Sequence, residues 1–289
     1  MVEFEVPEID YTRYTNRQLA AVPLAVLAVA LAILLGWYLF TGAPVEPGIA
    51  FTGGEELTIQ TEQSAEEIRA AFDQDPNSVR AIQGEANTYI VEFQAGDDAS
   101  ASDFVAQAES AGFDVRSSSS TSPSFGADTQ TEAFYGLIIA FVGMSLLAFG
   151  LFRTFVPSIA IVISAFSDIM IPLALMNVLG IELTLGTVAA LLMLIGYSVD
   201  SDILLNNHIL RRSGEFYDST HRAMRTGVTM TLTSISAMAV MAVTATIFGI
   251  DLLADIGLVL VLGLAADLMN TYMLNLSLLR WYKFEGVKR

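Results

Sequence analysis

The chain has 289 residues, 53% of them hydrophobic, and a mean hydropathy of +0.55, which excludes an ordinary soluble domain. With 31 acids against 14 bases the net charge is −17, so a nucleic acid partner is excluded by phosphate repulsion. There is no cysteine, which rules out a disulfide framework and thiolate metal sites; no metal or cofactor is expected. Lys283 and Lys288 are the only lysines, and so acidic and lysine-poor a surface points to a high-salt organism.

In chain order, residues 1–17 are an acid-rich segment ending near Arg13 and Arg17. Residues 18–41 form a first apolar run of about 20 residues, the length that crosses the hydrocarbon layer as a helix. Its apolar core is too long, and its preface too acidic, for a cleavable signal peptide. Residues 42–131 read as a small α+β domain. "EELTIQT" alternates as a strand, and "SAEEIRAAFDQ" opens a helix with Ser64 and Glu67 at capping-box spacing. "SVRAIQ", the turn "GEAN" and "TYIVEFQ" make a hairpin, "SDFVAQAESAG" a second helix, and "FDVRSSS" a last strand. The order β-α-β-β-α-β is the split βαβ, or ferredoxin-like, pattern. "SSSSTSPSFGADTQ" is predicted as a polar connector back to the membrane. Five further spans are predicted at 132–152, 156–179, 183–206, 226–249 and 252–279, so that 132–279 holds transmembrane helices 2 to 6 and 280–289 is a polar C-terminal segment.

Only Arg69, Arg80 and Arg116 fall within 42–131; the other eleven bases lie before the first span, at the 153 turn, in the 207–225 loop or after the last span. The positive-inside rule then places both termini in the cytoplasm and 42–131 outside, in a multi-pass protein of the cytoplasmic membrane.

Three stretches line up with one family: "GIAFTGGEELTIQT" after the first span, "SPSFGADTQTEAFYGLIIA" entering the second, and "IELTLGTVAALLMLIGYSVDSDILLNNHILRR" across the fourth. Through Phe51, Gly53 and Gly54, and Gly196, Tyr197 and Ser198, the chain resembles the archaeal type of the SecF family, within the resistance-nodulation-division (RND) superfamily. The resemblance covers nearly the whole chain. It implies a non-enzymatic subunit with an RND-like six-helix bundle and one extracytoplasmic domain between helices 1 and 2. Such a subunit acts with SecD beside the SecY-type channel of the Sec translocon, promotes export of the translocating polypeptide, sits in membrane lipid and is coupled to an ion gradient. Two departures from the bacterial pattern stand out. Asp200 and Ser201 occupy the places of its Asn-Asp pair, and its span-five base aligns with Thr229 or Met230; no Arg or Lys lies between Arg225 and Arg280. The bacterial scheme of proton coupling therefore lacks its cation here.

A charged group at bilayer depth costs about 3 kcal/mol on lenient insertion scales, so it is expected where a bundle interior or conduction path needs it. The candidates are Asp168, Asp200, Asp202, Asn207, Asp267 and Asn270. At 3.6 residues per turn Asp200 and Asn207 share a face, while Asp202 points about 200° away, so the two aspartates cannot meet one partner. Depth suggests that Asp200 is the inward one, with Asp202 in another groove or reaching the cytoplasmic surface. Asp168 precedes Pro172, whose missing donor frees a carbonyl, and a structural role is as good a reading as a functional one. Asp267, Asn270 and Thr271 make one stripe on span six. Span five supplies Thr229, Thr231, Thr233, Ser234 and Ser236, which either allow close packing or line a hydrated path. Gly136, Gly143 and Gly150 read as a helix-packing stripe, and His208 and His221 as solvated loop residues. The glycines of "FTGG" start the first outside strand, and no phosphate-loop lysine follows them.

Two other functions compete. An ion-coupled RND-type small-molecule transporter would need about twice this many spans. An intramembrane aspartyl protease could pair Asp267 with Asp168 or Asp200, but "GLAAD" lacks the Gly-x-Gly-Asp such a protease carries.

Overall fold

The computed structural model describes residues 9–82, 86–95, 100–211 and 215–286. The predicted turn residues Gly84 and Glu85, the motif residue Arg212 and Lys288 lie outside the described residues. A short 3-10 turn (Tyr11–Arg13) leads into α1 (Asn16–Thr41), whose Thr15 and Gln18 cap each other reciprocally. α2 (Ile49–Thr52) then ends at Gly53, and β1 (Gly54–Gln60) begins at the next residue. α3 (Ala65–Ala70) starts on the Ser64–Glu67 capping box. β2 (Ser78–Ala81), β3 (Thr88–Gln94), α4 (Ala101–Ser110) and β4 (Asp114–Thr121) complete the sheet unit.

The sheet runs β2-β3-β1-β4, antiparallel throughout, with Leu57 opposite Val91 and Ile59 opposite Tyr89. Alternation decides which face is covered: Leu57, Ile59, Val91 and Phe93 are fully enclosed beneath Ile68 of α3 and Phe104 of α4. Phe93 and Phe104 stack with ring centres 4.0 Å apart.

The remaining chain is helical: α5 (Pro123–Phe152), α6 (Phe155–Leu179), α7 (Leu185–Arg211), α8 (Phe216–Ile247), then α9 (Asp251–Met269), a π-helical segment (Asn270–Asn275) and α10 (Leu276–Phe284) in one run. Among the described residues six helices are long and apolar enough to cross a membrane: α1, α5, α6, α7, α8 and the run Asp251–Phe284. Within their apolar stretches α6 is 61% buried and α7 50%, against 11% for α5 and α8, so α6 and α7 are the inner helices. Small residues set the closest crossings, as hydrocarbon surroundings require. A Cβ on Gly257 of α9 would lie 2.9 Å from Ala242 of α8.

Two predicted loops are helical or stranded. "SSSSTSPSFGADTQ" is not a connector: its serines continue β4, and α5 begins at Pro123, where Ser122 Oγ accepts from Phe125 N–H at 3.4 Å and proline sits at the first turn. Most of the polar 207–225 stretch belongs to α7 and α8, which outrun the apolar layer. The helices lengthen because Ile209, Phe216, Ala223 and Met224 pack into a second buried cluster with Tyr11, Leu276 and Leu279.

The joint between sheet and bundle is made of backbone. Gly53 has φ +75, and a Cβ there would stand 2.6 Å from Pro123 N; a Cβ on Gly126 would stand 2.7 Å from Phe51 O. A Cβ on Gly54, at φ +153, would collide with Phe93 O. Phe51, Gly53 and Gly54 thus fasten the start of β1 to the start of α5.

Candidate functional site

Three helices bring acids to the middle of the bundle. α6 contributes Ser164, Ser167 and Asp168, all buried; Pro172 lacks the N–H that would bond the Asp168 carbonyl. α7 presents Ser198, Ser201 and Asp202 at i, i+3 and i+4, hence on one face. α9 supplies Asp267, and the π segment supplies Asn270, Thr271 and Asn275. Residues five apart diverge by about 140° on an α-helix, whereas a π turn closes over five, so this segment swings Asn275 toward the face of Asn270.

The carboxylates are held by neutral donors. Asp168 accepts from Ser198 Oγ and from Asn270 Nδ2, both at 2.6 Å. Asp202 accepts from Asn275 Nδ2 at 2.7 Å and Thr271 Oγ1 at 3.0 Å. Asp267 accepts from Ser201 Oγ at 2.8 Å, with Thr271 Oγ1 also 3.3 Å away. Thr271 therefore touches two carboxylates with a single hydroxyl proton and can serve only one at a time. All three aspartates are 0–1% exposed. Asp202 Oδ2 and Asp267 Oδ2 are buried with no partner, as are Asn270 Oδ1, Asn275 Oδ1, Ser164 Oγ and Ser167 Oγ.

No fixed cation balances this charge. Residues 154–210 and 226–279 contain no Lys or Arg, and no ion pair among the described residues reaches the three aspartates. No group of three or more acidic or histidine side chains among the described residues is placed to hold a metal ion. Three ionised carboxylates in a low-dielectric bundle would repel one another strongly. Enclosure among neutral donors therefore favours the uncharged, protonated form of these carboxyls.

The structure reverses several expectations, at Asp200, His208 and the glycine stripe, and sharpens others. Asp200 is exposed and Asp202 is the enclosed residue; the helical phase that separates them holds, but depth alone does not say which face turns inward. Asn207 is only half-buried, while its neighbour Asn206 is enclosed and donates to Pro157 O at 3.4 Å. His208 is not a solvated loop residue: it is 5% exposed within α7, its Nδ1 2.8 Å from Leu204 O. Of the span-five hydroxyls only Thr231 is buried, receiving a bond from Tyr197 Oη at 3.3 Å. Thr229, Thr233 and Ser236 are exposed and donate back to carbonyls of their own helix. Gly136, Gly143 and Gly150 have nothing within 4 Å of a Cβ position, so the predicted packing stripe meets no other part of this chain. In the Gly-Tyr-Ser motif Ser198 bonds Asp168, Tyr197 ties α7 to α8, and Gly196 is exposed.

A second acidic place lies where the sheet meets the bundle. Gly48 N–H donates to Leu183 O at 3.0 Å, Leu183 N–H to Glu46 O at 2.7 Å, and Asn77 Nδ2 to Glu182 Oε1 at 3.4 Å. Burial, then the nearby Glu92 carboxylate, pushes the Glu182 carboxyl up to about 7, against the pull of Arg80.

Comparison with known proteins agrees with this architecture. The family described as "Protein export membrane protein SecD/SecF, C-terminal" matches residues 102–285. The chain is 68% identical, over all of both sequences, to the "Protein-export membrane protein SecF" of Haloferax volcanii. It is 38% identical to the protein of that name from Methanocaldococcus jannaschii, covering 91% of this chain and 94% of the other. The crystal structure of SecDF, a translocon-associated membrane protein from Thermus thermophilus, superposes on 98% of this chain with a TM-score of 0.74 at 17% identity, which shows a shared fold. This chain spans 40% of the length of that one.

Proposed function

The chain belongs to the SecD/SecF family of protein-export membrane proteins, as a SecF-type multi-pass subunit serving protein export, and from this premise we propose how its bundle works. Asp168, Asp202 and Asp267 form the ion-coupling centre. The observation that carries this reading is a set of three enclosed carboxylates, two of them (Asp202 and Asp267) with an unpaired oxygen, and no lysine or arginine among them. Binding of a proton or small cation relieves their repulsion; its loss restores it. Because the three aspartates stand on α6, α7 and α9, that change alters how three helices pack.

The membrane partner is a SecD-type subunit. α5 displays Phe134, Ile139 and Leu146, side chains suited to lipid. α8 displays Thr226, Thr229, Thr233 and Ser236, with Met230 among them, and apolar Val240 and Val243 further on, and α7 displays Gly196 and Asp200. Asp200 left against lipid costs about 3 kcal/mol, and small hydroxylic residues favour a neighbouring helix. The unit of β-α-β-β-α-β order is the ferredoxin-like, extracytoplasmic domain. Both termini are then cytoplasmic, consistent with the arginines at that end of the bundle. The channel and its translocating polypeptide are transient partners, and the subunit is not an enzyme.

The test is secretion of a Sec-dependent substrate in cells that carry Asp202→Asn, with SecD present and this protein at normal level. Secretion should fall at least ten-fold. Secretion at the wild-type rate removes the cluster from the mechanism.

A further inference from the structure

Two cavities lie side by side at the end of the bundle away from the sheet. The larger, about 840 Å3, is a slot between α1, α8 and the π segment, walled by Leu19, Val22, Val228, Leu268 and Met273, with no charged side chain in its lining. The smaller, about 560 Å3, opens past the ends of α1 and α8 and is lined by Asp10, Thr12, Tyr217, Asp218, His221 and Arg222. Ile9, Tyr11 and Met224 border both. The divider is fixed: Tyr11 Oη donates to Met224 Sδ at 3.5 Å, and Arg280 Nη1 donates to the carbonyls of Tyr11 and Tyr14 at 3.0 and 2.7 Å.

An apolar slot beside a polar chamber, with Ile9, Tyr11 and Met224 as their common wall, matches one kind of molecule, an amphiphile lying across that wall. We propose that the two cavities together bind one anionic phospholipid, its chain in the slot and its phosphate at Arg222. With Asp10 paired to Arg13, the three guanidiniums of the chamber and its adjoining recess, Arg222, Arg17 and Arg280, outnumber Asp218 and Glu285. Asp10 is already engaged by Arg13 Nε at 3.0 Å and by Thr12. Asp218 opposes an anion from one side. Tyr217 joins the chamber to an adjoining recess that holds Arg17 and Arg280 alongside Glu285. Tyr14 and Trp281, 48% and 43% exposed, stand at this end as aromatic side chains do at headgroup level. Val22, 49% exposed, leaves the slot open sideways for a lipid chain to enter. The site rests on membrane insertion alone and stands apart from the ion-coupling proposal.

The full chain in mild detergent is titrated with phosphatidylglycerol and with phosphatidylcholine of identical chains, and retained lipid is read by native mass spectrometry. One phosphatidylglycerol per chain should persist, preferred about ten-fold, as one charge-assisted phosphate contact provides. Arg222→Glu should abolish the preference, and Val22→Trp, at a half-exposed position, should abolish retention of both lipids while circular dichroism stays unchanged. Equal retention of the two lipids by the unaltered chain, or retention unchanged in both variants, overturns the proposal. So does absence of any retained lipid, the outcome if another polypeptide segment fills the slot.

Discussion

The sheet domain buries Glu92 against Arg80, 2.6 Å away, with Ser78 Oγ at 2.6 Å on its other oxygen. The bundle buries Asp168, Asp202 and Asp267 against hydroxyls and amides only. A guanidinium is a permanent counter-charge, so the sheet domain carries a settled pair that fixes β2 to β3. A hydroxyl is neutral, so the bundle's acids have no permanent counter-charge from within the described residues. One region has its charge paired within the chain; the other, on the ion-coupling proposal, does not, and its protonation can change.

Substitutions separate the two regimes. The largest effect is expected in the bundle and on function: Asp202→Asn should cut export at least ten-fold yet leave the thermal midpoint of the purified chain unchanged or higher, since a neutral side chain of the same shape removes repulsion. A midpoint lowered by several degrees would make Asp202 a structural residue. Next comes the sheet, where Arg80→Ala should cost about 2 kcal/mol, between the values for exposed and for fully buried pairs, because Glu92 is left alone. Protease resistance of residues 54–121 in the full chain reads this loss, and unaltered resistance would mean that Ser78 suffices. Tyr197→Phe removes one neutral bond between α7 and α8 and should cost about 1 kcal/mol, visible as a small fall in thermal midpoint.

The seam between the regions gives the subtlest effect. Glu182 holds its proton up to about 7 when docked, against an ordinary value of 4.5. The docked state binds more protons than the undocked one, so docking weakens as pH rises from about 4.5 to about 7 and is weakest above that. Amide exchange at Gly48 and Leu183, corrected for intrinsic rate, should accelerate over this window, and Glu182→Gln should flatten the dependence. A flat profile in the unaltered chain would show that the seam does not sense pH.

Much of this was legible in the sequence where one physical rule dominated. Alternation in "TYIVEFQ" marks β3, and Ser64 with Glu67 marks the start of α3, because both signals are local. The long apolar runs mark the spans but not their ends: α5 begins at Pro123 in polar sequence because a cap at Ser122, not the membrane, starts it. The site was half legible. Periodicity separates Asp200 from Asp202 but does not orient the helix. The polar stripe Ser198, Ser201, Asp202, Asn206 on the same face carried that information, since buried polar groups seek each other's company in hydrocarbon. Asn275 was out of reach, because sequence gives no sign of the π turn that brings it to Asp202.

Gly53, Gly54 and Gly126 leave no side-chain cushion between the root of β1 and the top of α5. Such a joint works as a rigid coupling, with α5 as a shaft some 30 residues, or about 45 Å, long. A tilt of that shaft would reach the root of β1 with no flexible tether between them to absorb it.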